Sequence, residues 1–349
     1  MRTRLTDLLG CRHPIVQTGM GFVSGAPLVA ATSGAGGFGI IASAAMSLDE
    51  LRATIREVRR RTDAPFGVNV RADLPDAVER IDLLVRERVR LASFALAPQR
   101  DLLRRCADGG VLTMPSVGAL RHAEKVTGWG VDAVLVQGGE GGGHTGPVPT
   151  TLLLPQVVDA VEVPVVAAGG FFDGRGLVAA LAYGAAGIAM GTRFLLTSDS
   201  PVGAAVKRHY LEASVTDTVV TTRVDGVPHR VLRTPFVEAL EHSGRVAGLV
   251  RSIRHAGAFR RQTGLSWPAM LRTARASRRG RELTWAQTVM SANTPALLRT
   301  SMARGRPESG VMPAGQVTGL IHDLPSCAEL IDRIMKEADD RLAALSTAR

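Results

Sequence analysis

One imidazole, His144, stands in a stretch of nearly bare backbone, Gln137-Gly-Gly-Glu-Gly-Gly-Gly-His-Thr-Gly146. Glycine lets that backbone take positive φ and approach a ligand closely. Successive bare N–H groups in such a turn form a concavity for an anion or a heteroatom. An imidazole titrates near neutrality and moves protons, so the chemistry on offer is proton transfer to a ligand lying on the loop. A purely structural histidine is the alternative, and the glycine setting weighs against it. Of the other histidines, His13 precedes a proline, and His122, His209, His242, His255 and His322 lie in helical or polar surroundings. His229 falls in a possible hairpin and receives no role. No histidine pair shows metal-ligand spacing with an acid, so no metal site is expected.

Amides and further glycines surround this group in the sequence order. Asn69 interrupts the apolar run Gly67-Val-Asn-Val70, and Gln17 and Gln137 end two others. A buried amide must be hydrogen-bonded, and a planar heterocycle with carbonyl and N–H edges would satisfy three that converge. Ala167-Ala-Gly169-Gly170 and Met190-Gly191-Thr192 follow the last two strand candidates, where barrels often bind a phosphate on backbone amides. Gly34-Ala-Gly-Gly-Phe-Gly39 matches a dinucleotide fingerprint, but it ends a helix and leads into a strand. That order is the reverse of what pyrophosphate binding needs, and a helix-ending turn explains it.

The elements that must position these groups alternate over the first two hundred residues. Strand candidates are Ile15–Gln17, Gly39–Ala42, Phe66–Val70, Leu91–Ala95, Val111–Pro115, Ala133–Gln137, Pro164–Ala168 and Gly187–Gly191. Helical patterns fill every gap, with a capping box at Ser47 and Glu50. This α/β alternation predicts a (β/α)8 TIM barrel, which gathers the C-terminal strand ends on one face. The barrel is assigned to residues 1–218. Beyond it, Val219–Pro228 reads as a strand and turn, and 219–312 as an inserted, basic, mainly helical lobe covering the site. In the last segment, 313–349, the helical spacing of Leu330, Ile331, Ile334, Met335, Ala338 and Leu342 predicts a helix returning to the barrel.

Composition bounds the rest. With 349 residues, 45% hydrophobic and 21% charged, the chain is globular and long enough for a large core. No apolar run has the length of a membrane span, and the N-terminus lacks a signal-peptide core, so a cytoplasmic protein is expected. Cys11, Cys106 and Cys327 are widely spaced and read as reduced structural thiols. The net charge of +10 is concentrated: residues 251–306 hold twelve arginines against Glu282 alone, or +11, which leaves the remainder near neutral. Too few aromatics interleave these arginines for a nucleic-acid surface. A solvated helical face, or a surface for a polyanionic substrate handle such as the phosphates of coenzyme A, remains.

Taken together, Pro14-Ile-Val-Gln-Thr-Gly19-Met20, Gly67-Val-Asn69, the Gln137-to-His144 loop, Ala168-Gly-Gly170 and Ala189-Met-Gly-Thr192 resemble the nitronate monooxygenase and 2-nitropropane dioxygenase-like family of FMN barrels. Flavin-dependent enoyl-acyl-carrier-protein reductases belong to the same superfamily. The late segment Ala314-Gly-Gln316-Val-Thr-Gly319 is similar to the family's G-Q-x-x-G element beside the flavin. The resemblance implies FMN held by Gln17, Gly19, Met20, Asn69, Gln137, Gly142, Gly143 and Gln316 around the ring. It implies Gly169, Gly170, Met190, Gly191 and Thr192 around the phosphate, and His144 as the catalytic group.

Over its whole length the chain looks closer to an actinobacterial subgroup of steroid C/D-ring breakdown, which is thought to reduce a hydroxy-methyl-oxo-indene-carboxyl-CoA. The resulting expectation is an NAD(P)H-dependent reduction of a ring-conjugated enoyl-CoA, with Arg223, Arg251, Arg278 and Arg279 as contacts for CoA. Oxidation of alkyl nitronates with O2 is the alternative. The expected partner is the small-molecule thioester, with neither nucleic acid nor membrane, and a homodimer is left open.

Overall fold

A computed structural model describes residues 1–95, 98–242 and 294–347. Eight parallel strands close into a barrel: β1 (Ile15–Gln17), β2 (Phe38–Ala42), β3 (Gly67–Val70), β4 (Leu91–Phe94), β5 (Leu112–Val117), β6 (Val134–Gln137), β8 (Val165–Ala168) and β9 (Gly187–Met190). Closure is made by β1 on β9, with Val16 opposite Ala189. A two-residue strand, β7 (Gly143–His144), lies outside the barrel in the loop after β6. The expected (β/α)8 architecture is the observed one, and each strand is bounded within two residues of its expected limits.

Side-chain alternation along the strands separates two cores. Val16, Phe38, Ile40, Leu91, Leu135, Val166 and Ala189 fill the barrel interior together with Leu5 and Leu9. Those two leucines come from a helix, Arg4–Leu9, that the sequence reading did not anticipate. Its N-cap Thr3 donates to the Ala186 carbonyl just before β9, so the helix plugs the N-terminal end of the barrel. The neighbouring strand residues Ile15, Ile41, Val68, Val134, Val136 and Ile188 face outward against the surrounding helices.

Local signals account for the helix boundaries. Ser47 and Glu50 form the capping box of Leu48–Arg61, and Asp173 caps Gly174–Ala182 through the Gly176 amide. The glycine-rich 34–39 segment does end a helix, Ala26–Gly34, and enter β2. A β-carbon on Gly39 would lie 2.6 Å from the Val29 carbonyl oxygen, so close helix–strand packing demands that glycine. The C-terminal helix, Cys327–Thr347, returns to the barrel and lies tightly on Gly174–Ala182. At their crossing a β-carbon on Gly174 would meet the Ile334 carbonyl oxygen and the Ala338 nitrogen at 2.5 Å. All three cysteines are free and buried. Burial pushes the Cys11 thiol up to about 11 and those of Cys106 and Cys327 up to about 12, as inert structural thiols require.

Above the C-terminal face of the barrel a second sheet forms. A hairpin of β10 (Thr218–Thr221) and β11 (His229–Leu232) adds β7 to its free edge, all antiparallel. The hairpin rests on a small apolar core of Val224, Val231, Val237, Leu240, Leu297 and Val311, every member of which lies within 219–312. Helix Pro235–Glu241 and a π-helical turn, Arg299–Ala303, flank it. The greater part of the expected basic helical lobe, including Arg251, Arg278 and Arg279, lies outside the described residues. No helix among the described residues is long and apolar enough to cross a membrane.

Candidate active site

The loop after β6 is held open from beneath by Gln137. Its Nε2 donates to the carbonyl oxygens of His144 at 2.8 Å and Gly142 at 3.3 Å, which turns the chain back toward the barrel. Thr145 extends the edge pairing by donating its amide to Pro228 O at 3.1 Å. In the register of β7 on β11, His144 stands directly opposite His229. Opposed residues of an antiparallel pair project to the same face, and the two imidazoles lie 4.6 Å apart, tilted by 39°.

The turn between β10 and β11 supplies the third member. Asp225 accepts the Val227 amide on Oδ1 at 3.2 Å, and Gly226 follows at φ +85°, a turn conformation that favours glycine. That geometry aims Oδ2 at His144 Nε2, 2.6 Å away. His144 is about half exposed, while Asp225 is buried. Burial works to raise the Asp225 carboxyl, but the hydrogen bond from His144 and the nearby imidazoles outweigh it, and the group is held below the usual carboxylate range. His229 is buried, and neither of its ring nitrogens has a hydrogen-bond partner among the described residues. Its Nδ1 stands 3.9 Å from Asp225 Oδ2, beyond hydrogen-bond reach. Burial lowers its pKa, Asp225 opposes that, and His144 adds to the lowering.

Donor atoms of His144, Asp225 and His229 all lie within 4.8 Å of one another, a grouping that linear spacing did not reveal. Two ligands of one tetrahedral ion at ~2 Å would sit roughly 3.3 Å apart. The 2.6 Å separation of His144 and Asp225 is shorter than that and is the geometry of a hydrogen-bonded pair.

Around the barrel mouth the expected FMN residues divide by strand parity. Asn69 and Gln137 share the inward parity of the C-terminal layer. Asn69 is half-buried and donates to Ser93 Oγ at 3.4 Å, while Gln137 is half-buried beneath the loop. Gln17 has the other parity. Its side chain is fully buried and bonds Ser24 Oγ at 2.8 Å and the Ile40 carbonyl, so it shapes the first loop and does not join the other two amides. Gly19 lies under Asn69, whose Cβ a new β-carbon would meet at 2.6 Å. Met20 lines the same first loop, and its amide is held by Ser24 Oγ at 2.9 Å. Met190 is buried and contributes its carbonyl, which accepts from Thr18 N.

The segment expected to bring Gln316 arrives along the second sheet. Leu232 donates to Met312 O and Ala314 to Arg230 O, after which the chain crosses to the barrel mouth. There the Gly315 amide donates to Thr192 Oγ1 at 3.0 Å and the Gln316 amide to Glu140 O at 3.0 Å. Gly142 is required by this crossing, since a β-carbon would lie 2.6 Å from Ala314 C and Gly315 N. Gly143 has φ +76°, Gly169 +90° and Gly170 +88°. Gly170 is exposed, and the closest atom to a β-carbon there is in Glu140 at 3.8 Å. Such a β-carbon would project into open space past the Glu140 side chain. This bare, glycine-lined cradle, with Asn69 and Gln137 on the inner wall, fits FMN.

Comparison with known proteins gives the family. The chain matches the family described as nitronate monooxygenase over residues 2–80 and 75–337. It belongs to that family. As a member of the nitronate monooxygenase family it is a flavin-dependent oxidoreductase. It is 59% identical over 349 residues to the Mycobacterium tuberculosis protein named (3aS,4S,5R,7aS)-5-hydroxy-7a-methyl-1-oxo-octahydro-1H-indene-4-carboxyl-CoA dehydrogenase, covering 99% of this chain and 98% of that one. A Rhodococcus jostii protein of the same name is 56% identical, covering 100% and 99%. The solved structure of FabK from Thermotoga maritima superposes with a TM-score of 0.81 at 35% identity and covers 99% of both chains.

Asp225 and His229 were missed by sequence reasoning. The available signal was Asp225-Gly226 as a tight turn, with a strand either side, which marks a hairpin but not what its turn reaches. Of the arginines expected at CoA, Arg223 is exposed in that same turn, two residues from Asp225.

Proposed function

We propose that this chain exchanges hydrogen between FMN and the ring carbons α and β to a CoA thioester, on a hydroxylated methyl-oxo-indene carboxylate skeleton. The observation that carries the reading is the half-exposed His144 at the barrel mouth, backed by a buried carboxylate at 2.6 Å. A thioester acidifies its α-carbon, and a positioned imidazole is the group that takes or returns that proton. The names of the two relatives supply the skeleton and the thioester. FMN, when bound, supplies the two-electron redox chemistry.

In this reading Asn69 and Gln137 hold the isoalloxazine edge, Gly169, Gly170, Gly191 and Thr192 receive the phosphate, and Gln316 closes the ring side. Gln17 acts on the ring through the loop it shapes. The sheet of β7, β10 and β11 borders the mouth and presents His144 to it. Arg223, with Arg251, Arg278 and Arg279, meets the CoA phosphates.

Reduction of the ring-conjugated C=C with NAD(P)H and oxidation of the saturated thioester use the same residues in opposite directions. The relatives are named for the second, which sets the oxidative direction beside the NAD(P)H-driven one. Oxidation of alkyl nitronates is the second reading, favoured by the name of the family.

Anaerobic stopped flow on the FMN-loaded protein tests the proposal. The saturated hydroxy-indene-carboxyl-CoA is expected to bleach the flavin, and NAD(P)H followed by the enoyl-CoA to bleach and restore it. Fast anaerobic bleaching by a nitronate, with neither thioester acting, would establish the second reading instead.

A further inference from the structure

Nothing in the family resemblance assigns Asp225 or His229. We propose that Asp225 is the positioning residue that fixes the proton on Nε2 of His144, so that Nδ1 is the nitrogen that exchanges a proton with the substrate. The inference rests on the reading of His144 as the proton-moving group and goes further by naming the nitrogen and what selects it.

The geometry leaves one arrangement. Asp225 Oδ2 lies 2.6 Å from Nε2, and an ionised carboxylate only accepts, so Nε2 must carry hydrogen. The carboxylate is itself fixed, with Oδ1 taken by the Val227 amide in the turn. The backbone on either side is locked as well. The His144 carbonyl accepts from Gln137 Nε2 at 2.8 Å, and β7 is paired to β11. His229 closes the remaining side of the ring at 4.6 Å. It supports the His144 ring by packing, and neither of its own ring nitrogens hydrogen-bonds to that ring. Among the described residues nothing bonds His144 Nδ1, and the side chain is half exposed to the mouth.

In the step itself, the α C–H bond of the thioester breaks, its proton passes to Nδ1, and the electron pair stays on the substrate as the enolate. The imidazolium so formed donates from Nε2 to a carboxylate already in place, which stabilises the charge where it arises. Reprotonation at carbon α is the same step reversed. Among the described residues, the groups facing His144 are Asp225 from the turn, His229 from β11 and the backbone of the loop after β6.

Nitrogen NMR of histidine-labelled, FMN-loaded protein tests the assignment, with His144→Ala identifying the signal. The wild type is expected to show hydrogen on Nε2 of His144 at every pH where the protein is folded. Asp225→Asn is expected to populate the Nδ1–H form while the flavin absorbance is kept. With the thioester as substrate, Asp225→Asn should lower kcat about a hundredfold or more with little change in KM. Asp225→Glu should recover part of kcat. An Nδ1–H tautomer in the wild type, or wild-type tautomer and kcat in Asp225→Asn, would overturn the proposal. The NMR readout needs no substrate, so an inert thioester would sink the functional reading and leave this one standing or falling on the spectrum.

Discussion

In the barrel each strand pairs with a neighbour one βα unit away, with the closing pair β1 and β9 the exception. In the sheet over its mouth, His144 meets a carboxylate that follows it by 81 residues. The barrel has two large apolar cores and, in the proposed reading, carries the cradle for the cofactor. The smaller sheet has a modest core and, in the proposed reading, carries the proton chemistry. That reading places cofactor binding and proton transfer on parts with separate cores, joined where Arg230 meets Gly139 and Gly142 meets Gly315. A defect on one side should be readable without the other.

The largest separation is expected from Gly170→Val. At φ +88° a β-branched residue is strained by ~1–3 kcal/mol, and its side chain would fill the phosphate end of the mouth. Purified protein should lose most of its FMN absorbance while exchange protection of β10 and β11 is unchanged. Gly170→Ala carries similar strain with less bulk and should retain more FMN. Equal loss in both would mean that strain, not occupancy, empties the site.

A smaller effect in the opposite direction is expected from Arg230→Met. The Arg230 guanidinium donates to the Gly139 carbonyl at 2.8 and 3.1 Å and to Thr218 Oγ1 at 3.0 Å, tying β11 to the loop after β6. Losing these part-exposed, charge-assisted bonds should cost about 1–2 kcal/mol of local stability. Hydrogen exchange should rise in 218–221 and 229–232, with barrel strands and FMN content unaffected. Exchange rising equally in the barrel would show that the two regions unfold together.

The smallest effect is a pH dependence of the same sheet. The folded pKa of His229 is lowered, chiefly by burial. The opened state then binds the extra proton below the ordinary histidine value of ~6.5, and stability falls as pH drops through that range. Asp225 is also held low, so its contribution is complete above the ordinary carboxylate range and is lost as pH falls through that range toward the lowered folded value, below the window tested. Acidification from pH 7.5 to 5.5 should raise exchange in β10 and β11 beyond the intrinsic change. His229→Phe should flatten the response, and an undiminished response there would assign it to another group.

The same contrast explains what could be read from the sequence. Strand runs, capping residues and turn glycines act over a few residues, so the barrel, its order and the position of His144 were legible. Asn69 interrupts one apolar run and Gln17 and Gln137 end two others, and position along a run does not carry parity: Val16 faces in, so Gln17 faces out. The helix Arg4–Leu9 was too short for its periodicity to register. Strand β7 is two residues long and glycine-rich, so no pattern could announce it. Without that strand, nothing linked His144 to His229, or the Asp225 turn to either of them.

The central claim, that His144 moves the α-proton of a CoA thioester, is tested most directly by deuterium wash-in. The FMN-loaded protein and the saturated hydroxy-indene-carboxyl-CoA would be held without O2 in heavy water, and the thioester analysed by mass and NMR. Deuterium should enter at carbon α with the wild type and enter about a hundredfold or more slowly with His144→Ala, which should stay yellow. No incorporation by the wild type, or equal incorporation by His144→Ala, would contradict the account.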